Sequence, residues 1–515
     1  MSRTSSLICN ERGVSPWKVH LAFGHRLAAA ATLLGAFSLM ADTPQPFDRL
    51  TFHAAPKALS DKARTSDWPR VLGPEHNATS PETSLLKSFP VDGPAKVWEV
   101  VRGDGYTSPA ISGERLVMFH ALEGKETVEC LQRETGSRFW SFDYAINYQD
   151  RYGFAAGPRA SPVISDGVVV VLGVTSMIHA LDLKTGKPLW SHDLRADYNV
   201  PQDFFGAGSS PLILDGRVIV NVGGKAEKFD IADSQQDRKR KLGTRGVSVA
   251  AFDLKTGEVK WKIEDEWGAS YASPVPAKLH GKTKVLIYAG GEGDPAIGGL
   301  MCIDPATGEL HDRFPWRDDE YIQATGSSPV VIPEKNRAFI STVYPKGHPH
   351  GGVMVEYDEK FKATEVWKSA KFAMHWMNPV YLDGYLYGID GEREDNSRLV
   401  CVNADTGEER WTERIEWTDE FLGKRFNRPE MKQGILRASL LRVDGRFLCL
   451  GEFGSLLWLD LSPAGCRVLD RTQLFYAQNT WSLPALSRGL LYVSQQSKDI
   501  DEKPPRIICY DLRGK

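Results

Sequence analysis

Residues Ala180–Trp190 read ALDLKTGKPLW, and residues Ala251–Trp261 read AFDLKTGEVKW. Each phrase is a short apolar strand ending on Asp, a Thr-Gly turn, and a second strand ending on Trp. The Asp side chain is the type that accepts backbone N–H groups in a tight turn, and Gly supplies the positive φ that such a turn needs. Weaker copies occur at Cys130–Trp140, Cys302–Trp316 and Cys401–Trp411, with degenerate ones at Glu356–Trp367, Trp458–Val468 and Cys509–Lys515. The positions expected to hold the repeat together are Asp182, Gly186 and Trp190; Asp253, Gly257 and Trp261; Asp304 and Gly308; and Gly407 and Trp411.

A second phrase precedes each copy: TSP at Thr107, ASP at Ala160, SSP at Ser209, ASP at Ala272, SSP at Ser327, MNP at Met377, ASL at Ala438 and SLP at Ser482. Each opens a strand, a Gly-type turn and an apolar strand. Eight units of four strands, spaced by about 44 to 63 residues, predict an all-β, eight-bladed β-propeller of antiparallel blades over 95–515. Seven blades is the alternative if the seventh, most degenerate unit is misread. The eighth unit ends at Lys515 without a fourth strand, whereas AKVWEVV (Ala95–Val101) stands unpaired before the first unit. That N-terminal strand is expected to complete the last blade and remove an exposed edge.

The rest of the chain bounds the function. It has 515 residues, 42% apolar and 25% charged, with 63 Lys+Arg against 66 Asp+Glu. A net charge of −3 gives no basic field for nucleic acid. Arg3, Arg12, Lys18 and Arg26 precede the uncharged run Leu27–Ala41, the pattern of a secretory signal peptide over 1–41. A retained membrane anchor is the alternative; with cleavage, the mature protein is exported, periplasmic or secreted, and spans no membrane. Residues 42–94 are expected to form an extension packed on the propeller. Cys130, Cys302, Cys401 and Cys509 replace Ala180 and Ala251 at one third-strand position, where Cys serves as a small hydrophobe. Cys449 and Cys466 are the one pair placed to form a disulfide.

The Φ-x-Asp-x-x-Thr-Gly-x-x-x-Trp phrase resembles the repeat of the PQQ-like (pyrroloquinoline-quinone-type) β-propeller family. Asp67–Leu86 looks like the lead-in of secreted bacterial members, with Leu72 where they carry Arg in Trp-x-x-x-Arg-Gly-Pro. The resemblance implies one of two branches. One comprises quinoprotein dehydrogenases, which hold PQQ and calcium in the funnel with a vicinal Cys-Cys pair and with carboxylates and an Asn about the metal. The other comprises cofactor-free scaffolds similar to the BamB-type subunit of outer-membrane assembly. Since the chain has no Cys-Cys, the expectation is a non-enzymatic binding or scaffold module with no cofactor and no metal, presenting a rigid surface to a protein or carbohydrate-like partner. A PQQ- and calcium-dependent dehydrogenase of an alcohol or sugar is the alternative.

First strands line a propeller channel, so the residues just before each Ser-Pro should ring its mouth. They are Tyr106, Arg159, Gly208, Tyr271, Gly326, Trp376, Arg437 and Trp481. The four aromatics and two Arg either platform a flat or anionic ligand or fill the axle. His348 and His350, Glu292 and Asp294, and the basic run Asp237–Arg245 read as surface loops.

Overall fold

The computed structural model describes residues 43–514 apart from 203, 231, 292–296, 318–324, 344–350, 392 and 394–395. The signal-peptide segment 1–41, His348, His350, Glu292 and Asp294 lie outside the described residues. Pro44–Lys515 form one contact unit, and within it eight antiparallel sheets follow one another as the repeat requires. The first strands are Ala110–Ser112, Val163–Ser165, Leu212–Leu214, Val275–Leu279, Val330–Ile332, Val380–Leu382, Ser439–Val443 and Ala485–Ser487. Ala95–Val101 pairs antiparallel with Arg506–Asp511 and completes the eighth blade, and Leu50–Phe52 adds a fifth strand outside it.

The repeat residues do the work their chemistry allows. Asp182 Oδ1 accepts from Thr185 N–H and Thr185 Oγ1–H, both at 2.7 Å. Asp253 and Asp304 accept from the two turn N–H groups in the same way, and Asn403 substitutes for Asp in blade six. Gly186, Gly257, Gly308 and Gly407 have φ between +71° and +76°. Their missing Cβ matters twice, because the indole of the preceding blade lies there: a Cβ on Gly186 would meet Trp140 at 2.5 Å, and one on Gly257 would meet Trp190 at 2.6 Å. Each indole also donates its Nε1–H to a carbonyl of the next blade: Trp140 to Leu183 at 2.9 Å, Trp190 to Leu254 at 3.0 Å, Trp261 to Pro305 at 3.0 Å, and Trp367 to Ala404 at 2.8 Å. Trp411 donates to Ser462 O at 2.8 Å, and Trp98, from the closing strand, donates to Arg133 O at 2.9 Å. In every blade the pairing of third and fourth strands slips at this place, a bulge that turns the side chain toward its neighbour.

The Cys/Ala slot has its reason in the same register. Cys130 faces Trp140, Ala180 faces Trp190, Ala251 faces Trp261, Cys401 faces Trp411 and Cys509 faces Trp98. A small residue faces the indole in these five blades, whereas Met354 faces Trp367 in blade five. Trp316 departs from expectation: Cys302 faces Asp312, and Trp316 lies beyond the strand Leu310–Pro315. Asp312 accepts from Ala363 N–H at 2.8 Å in blade five, where Phe361 at φ +61° stands in the turn in place of Gly. Blade four, which lacks the indole, therefore faces the turn that lacks the Gly; the fourth strand of blade seven also lacks the indole, with Asp470 facing Trp458. Cys449 and Cys466 are free thiols, so the disulfide expectation is not met.

Residues 67–86 cross the end of the channel where the repeat turns lie. Trp68 and Ile111 exchange N–H···O bonds of 3.1 and 2.7 Å, Ile164 N–H donates to Pro69 O at 2.9 Å, and Ser80 N–H donates to Arg442 O at 2.9 Å. This strap thus ties blades one, two and seven together. Further out, Arg49 donates to both oxygens of the buried Glu129 at 2.6 Å, Arg138 donates at 2.8 Å, and His120 Nε2 lies 3.1 Å away. His120 Nδ1 accepts from Gly103 N–H at 2.8 Å, which puts its proton on Nε2, toward Glu129. Burial opposes ionisation of Glu129, but the His120 hydrogen bond and Arg49 overcome it and hold the carboxyl at about 2.

Gly257→Ala should therefore lose about 2–3 kcal/mol, since it combines a left-handed backbone with a clash against Trp190. Trp190→Phe should lose about 1 kcal/mol by leaving the Leu254 carbonyl unpaired; urea midpoints read both. A carboxyl held below its ordinary value stabilises the fold above that value and loses its contribution as pH falls from about 4.5 to about 2. The stability gap between the wild type and Arg49→Ala should accordingly be full at pH 7 and shrink across that window.

Candidate functional site

All eight residues before the Ser-Pro phrases line one cavity of about 340 Å³. Tyr106, Arg159, Tyr271, Trp376, Arg437 and Trp481 contribute side chains. Gly208 makes room for a neighbour, since a Cβ there would meet the Tyr271 ring at 2.6 Å. The axle is not filled. Val71, Leu72 and Ala78 of the strap also line the cavity, so it is a cup with an apolar floor, and Leu72 is part of that floor.

At the mouth, Tyr106 stacks on Trp481 with centroids 5.3 Å apart, and Trp376 lies 4.8 Å from Trp481. The Arg437 guanidinium sits 5.3 Å from the Trp376 ring and 5.1 Å from the Trp481 ring. Behind it, the fully buried Glu452 accepts from Arg437 Nε at 2.9 Å, from Arg437 Nη2, and from Trp481 Nε1 at 2.7 Å. Across the cavity, Arg159 lies 5.6 Å from the Tyr106 ring and donates to Asp150 Oδ2 at 2.6 Å. Asp150 Oδ1 also accepts from Tyr152 and Phe154 N–H at 2.9 and 3.1 Å, which knots the rim loop. Phe154 lies 5.8 Å from both Trp481 and Phe205. Tyr106 Oη accepts from Ala155 N–H at 3.4 Å and Tyr271 Oη from Phe205 N–H at 3.0 Å, so two mouth tyrosines hold two rim loops. Burial raises the Tyr106 hydroxyl above its ordinary value.

Sequence reading missed Phe154, Phe205, His375 and Asn378 on the cavity wall and the carboxylates Asp150 and Glu452 behind it. Asn378 stands in the repeated phrase at the place of the Ser, whereas the others lie in connections between strands; LGEFGS, which holds Glu452, carries no signal beyond a charge at the end of an apolar strand. The basic run Asp237–Arg245 falls largely in the helix Gln235–Leu242, where Arg240 pairs with Glu227 and Lys241 with Asp233.

A flat anionic ring such as PQQ fits the stacked aromatics and the two guanidinium groups. The metal set that accompanies it in the resembling branch is not matched. Asp150 and Glu452 are each engaged by an arginine, Asn378 Nδ2 donates to Ser328 O at 2.8 Å, and among the described residues no three His, Cys, Asp or Glu cluster as metal ligands.

Fold and cup define a propeller of the quinoprotein type. The family model described as outer membrane protein assembly factor BamB matches residues 124–413, more than half of the chain, and the chain belongs to that family. Curated relatives include a quinoprotein ethanol dehydrogenase of Pseudomonas aeruginosa, 32% identical over 33% of this chain and 24% of its own length. A quinohemoprotein alcohol dehydrogenase of Pseudomonas putida is 26% identical over 75% of this chain and 42% of its own length. The chain thus spans less than half of the curated relatives it matches. The solved quinohemoprotein alcohol dehydrogenase of Comamonas testosteroni superposes with a TM-score of 0.56 at 14% identity, over 87% of this chain and 81% of that one, a likeness of fold. These relatives overturn the expectation of a non-enzymatic, cofactor-free scaffold: the curated proteins that share the repeat are enzymes named for a quinone. The absent Cys-Cys pair was given too much weight.

Glu452→Gln should cost about 3 kcal/mol, because it strands the Arg437 charge, and Arg437→Gln added to it should recover part of that loss. Urea unfolding of the three variants measures the coupling.

Proposed function

We propose that this chain is an exported quinone-dependent oxidoreductase that acts on an alcohol. One observation carries the reading: two arginines held against aromatic rings converge on a single cup whose size and chemistry suit a flat anion. The quinoprotein names of the relatives support the same reading, and the basic-apolar leader over 1–41 supports export.

When bound, the quinone supplies a two-electron acceptor. The chain's own residues bind and orient it. Arg159 and Arg437 would pair with its carboxylates, and the aromatic cluster of Tyr106, Trp376 and Trp481 would offer it a stacking surface. Glu452 and Asp150 position the two arginines, and the apolar floor under Leu72 keeps water from entering from below. No step is assigned to a metal, because the acidic groups at the mouth are already engaged.

Purified protein incubated with PQQ and calcium, or PQQ and a lanthanide, should retain the quinone absorbance through gel filtration and reduce a dye with a primary alcohol. Arg437→Ala and Arg159→Ala should each weaken quinone binding by tenfold or more. Protein that elutes without quinone and without dye reduction under all these conditions would refute the reading.

A further inference from the structure

Below the aromatic mouth, the Ser of each Ser-Pro phrase forms a belt. Ser108 N–H donates to Ser161 Oγ at 3.0 Å, Ser161 N–H to Ser210 Oγ at 2.8 Å, Ser210 N–H to Ser273 Oγ at 3.1 Å, and Ser273 N–H to Ser328 Oγ at 2.9 Å. Each hydroxyl oxygen in blades two to five thus receives a hydrogen bond from the blade before. Its own proton has no acceptor among the described residues. Ser439, at the same place in blade seven, has a hydroxyl that makes no hydrogen bond at all among the described residues. Ser161, Ser210, Ser328 and Ser439 are 3–5% exposed, and all five serines line the cavity. The belt follows the mouth ring by two residues in each of these blades.

We propose that this neck is an anion site that takes a carboxylate or similar small oxyanion. Four of these five serines are buried residues, and all five hydroxyls open on one confined space where a guest can accept their protons. The cavity wall carries two arginines, each paired with a carboxylate behind it, and no carboxylate of its own, so a guest in the cavity meets hydrogen-bond donors rather than acceptor charges. Hydrogen bonds to a charged acceptor are the stronger kind. The belt shares its cavity with the mouth, but its test does not require that a quinone bind there. Its occupant is either a free anion or the carboxylate of a larger ligand whose body fills the aromatic mouth.

Ser439→Ala removes one donor without touching the belt, so its melting temperature should equal that of the wild type. Crystals soaked in bromide should show an anomalous peak within the serine ring, and formate should displace it. Calorimetry should find benzoate and formate binding weakened about tenfold in Ser439→Ala. Benzoate at least tenfold tighter than formate identifies a ligand-borne carboxylate, and equal affinities identify a free anion. A bromide peak only at the guanidinium groups, no peak, Ser439→Ala binding as the wild type does, or neutral benzyl alcohol binding as tightly as benzoate overturns the proposal.

Discussion

One contact sets the architecture: the indole at the end of a blade's fourth strand fills the concave turn of the next blade. It demands three things of three separate positions. The turn must hold Gly, because the backbone is left-handed and the space of a Cβ belongs to the indole. The residue facing the Trp across the strand is Ala or Cys in five of the six blades that carry the indole, and Met354 in the sixth. The strand must bulge so that the ring swings outward. Blade four keeps the small Cys302 and the bulge but places Asp312 where the Trp would stand, opposite Phe361 in the turn of blade five. A polar bond to Ala363 N–H replaces the indole there. Six of the eight seams between neighbouring blades are held by this device.

That device is why so much of the fold was legible. A strand period, a turn residue and a Trp recurred at a readable spacing, so blade number, blade order and the closing strand Ala95–Val101 could be read from the letters. The mouth ring was legible for the same reason: equal register places Tyr106, Arg159, Gly208, Tyr271, Gly326, Trp376, Arg437 and Trp481 around one axis. What escaped lies outside the period. Trp316 was assigned by its distance from the turn, and a bulge cannot be seen by counting residues. Glu452 and Asp150 face Arg437 and Arg159 from connections whose lengths differ in every blade. The strap touches partners several hundred residues away, as when Gly489 N–H donates to Glu82 at 2.8 Å, and no local pattern records that.

The functional expectation failed at a different link. The repeat is structural in enzymes and scaffolds alike, so the decision fell on one missing motif, the vicinal Cys pair. The cup itself speaks to ligand chemistry more directly. Its arginines are aimed by buried carboxylates, its aromatics are locked by hydrogen bonds from rim loops, and its floor is sealed. Such preorganisation spends stability on a shape.

The closing strand has a consequence for how the molecule comes into being. Glu99 and Arg506 meet 407 residues apart in the chain, so the strand made early must wait for the last one before its sheet exists. Closing a loop of that length costs about 5 kcal/mol of chain entropy, with no partial repayment until the final residues arrive. An unfinished chain is therefore an open arc with two adhesive ends, and the hazard during synthesis is joining with another arc before its own ends meet.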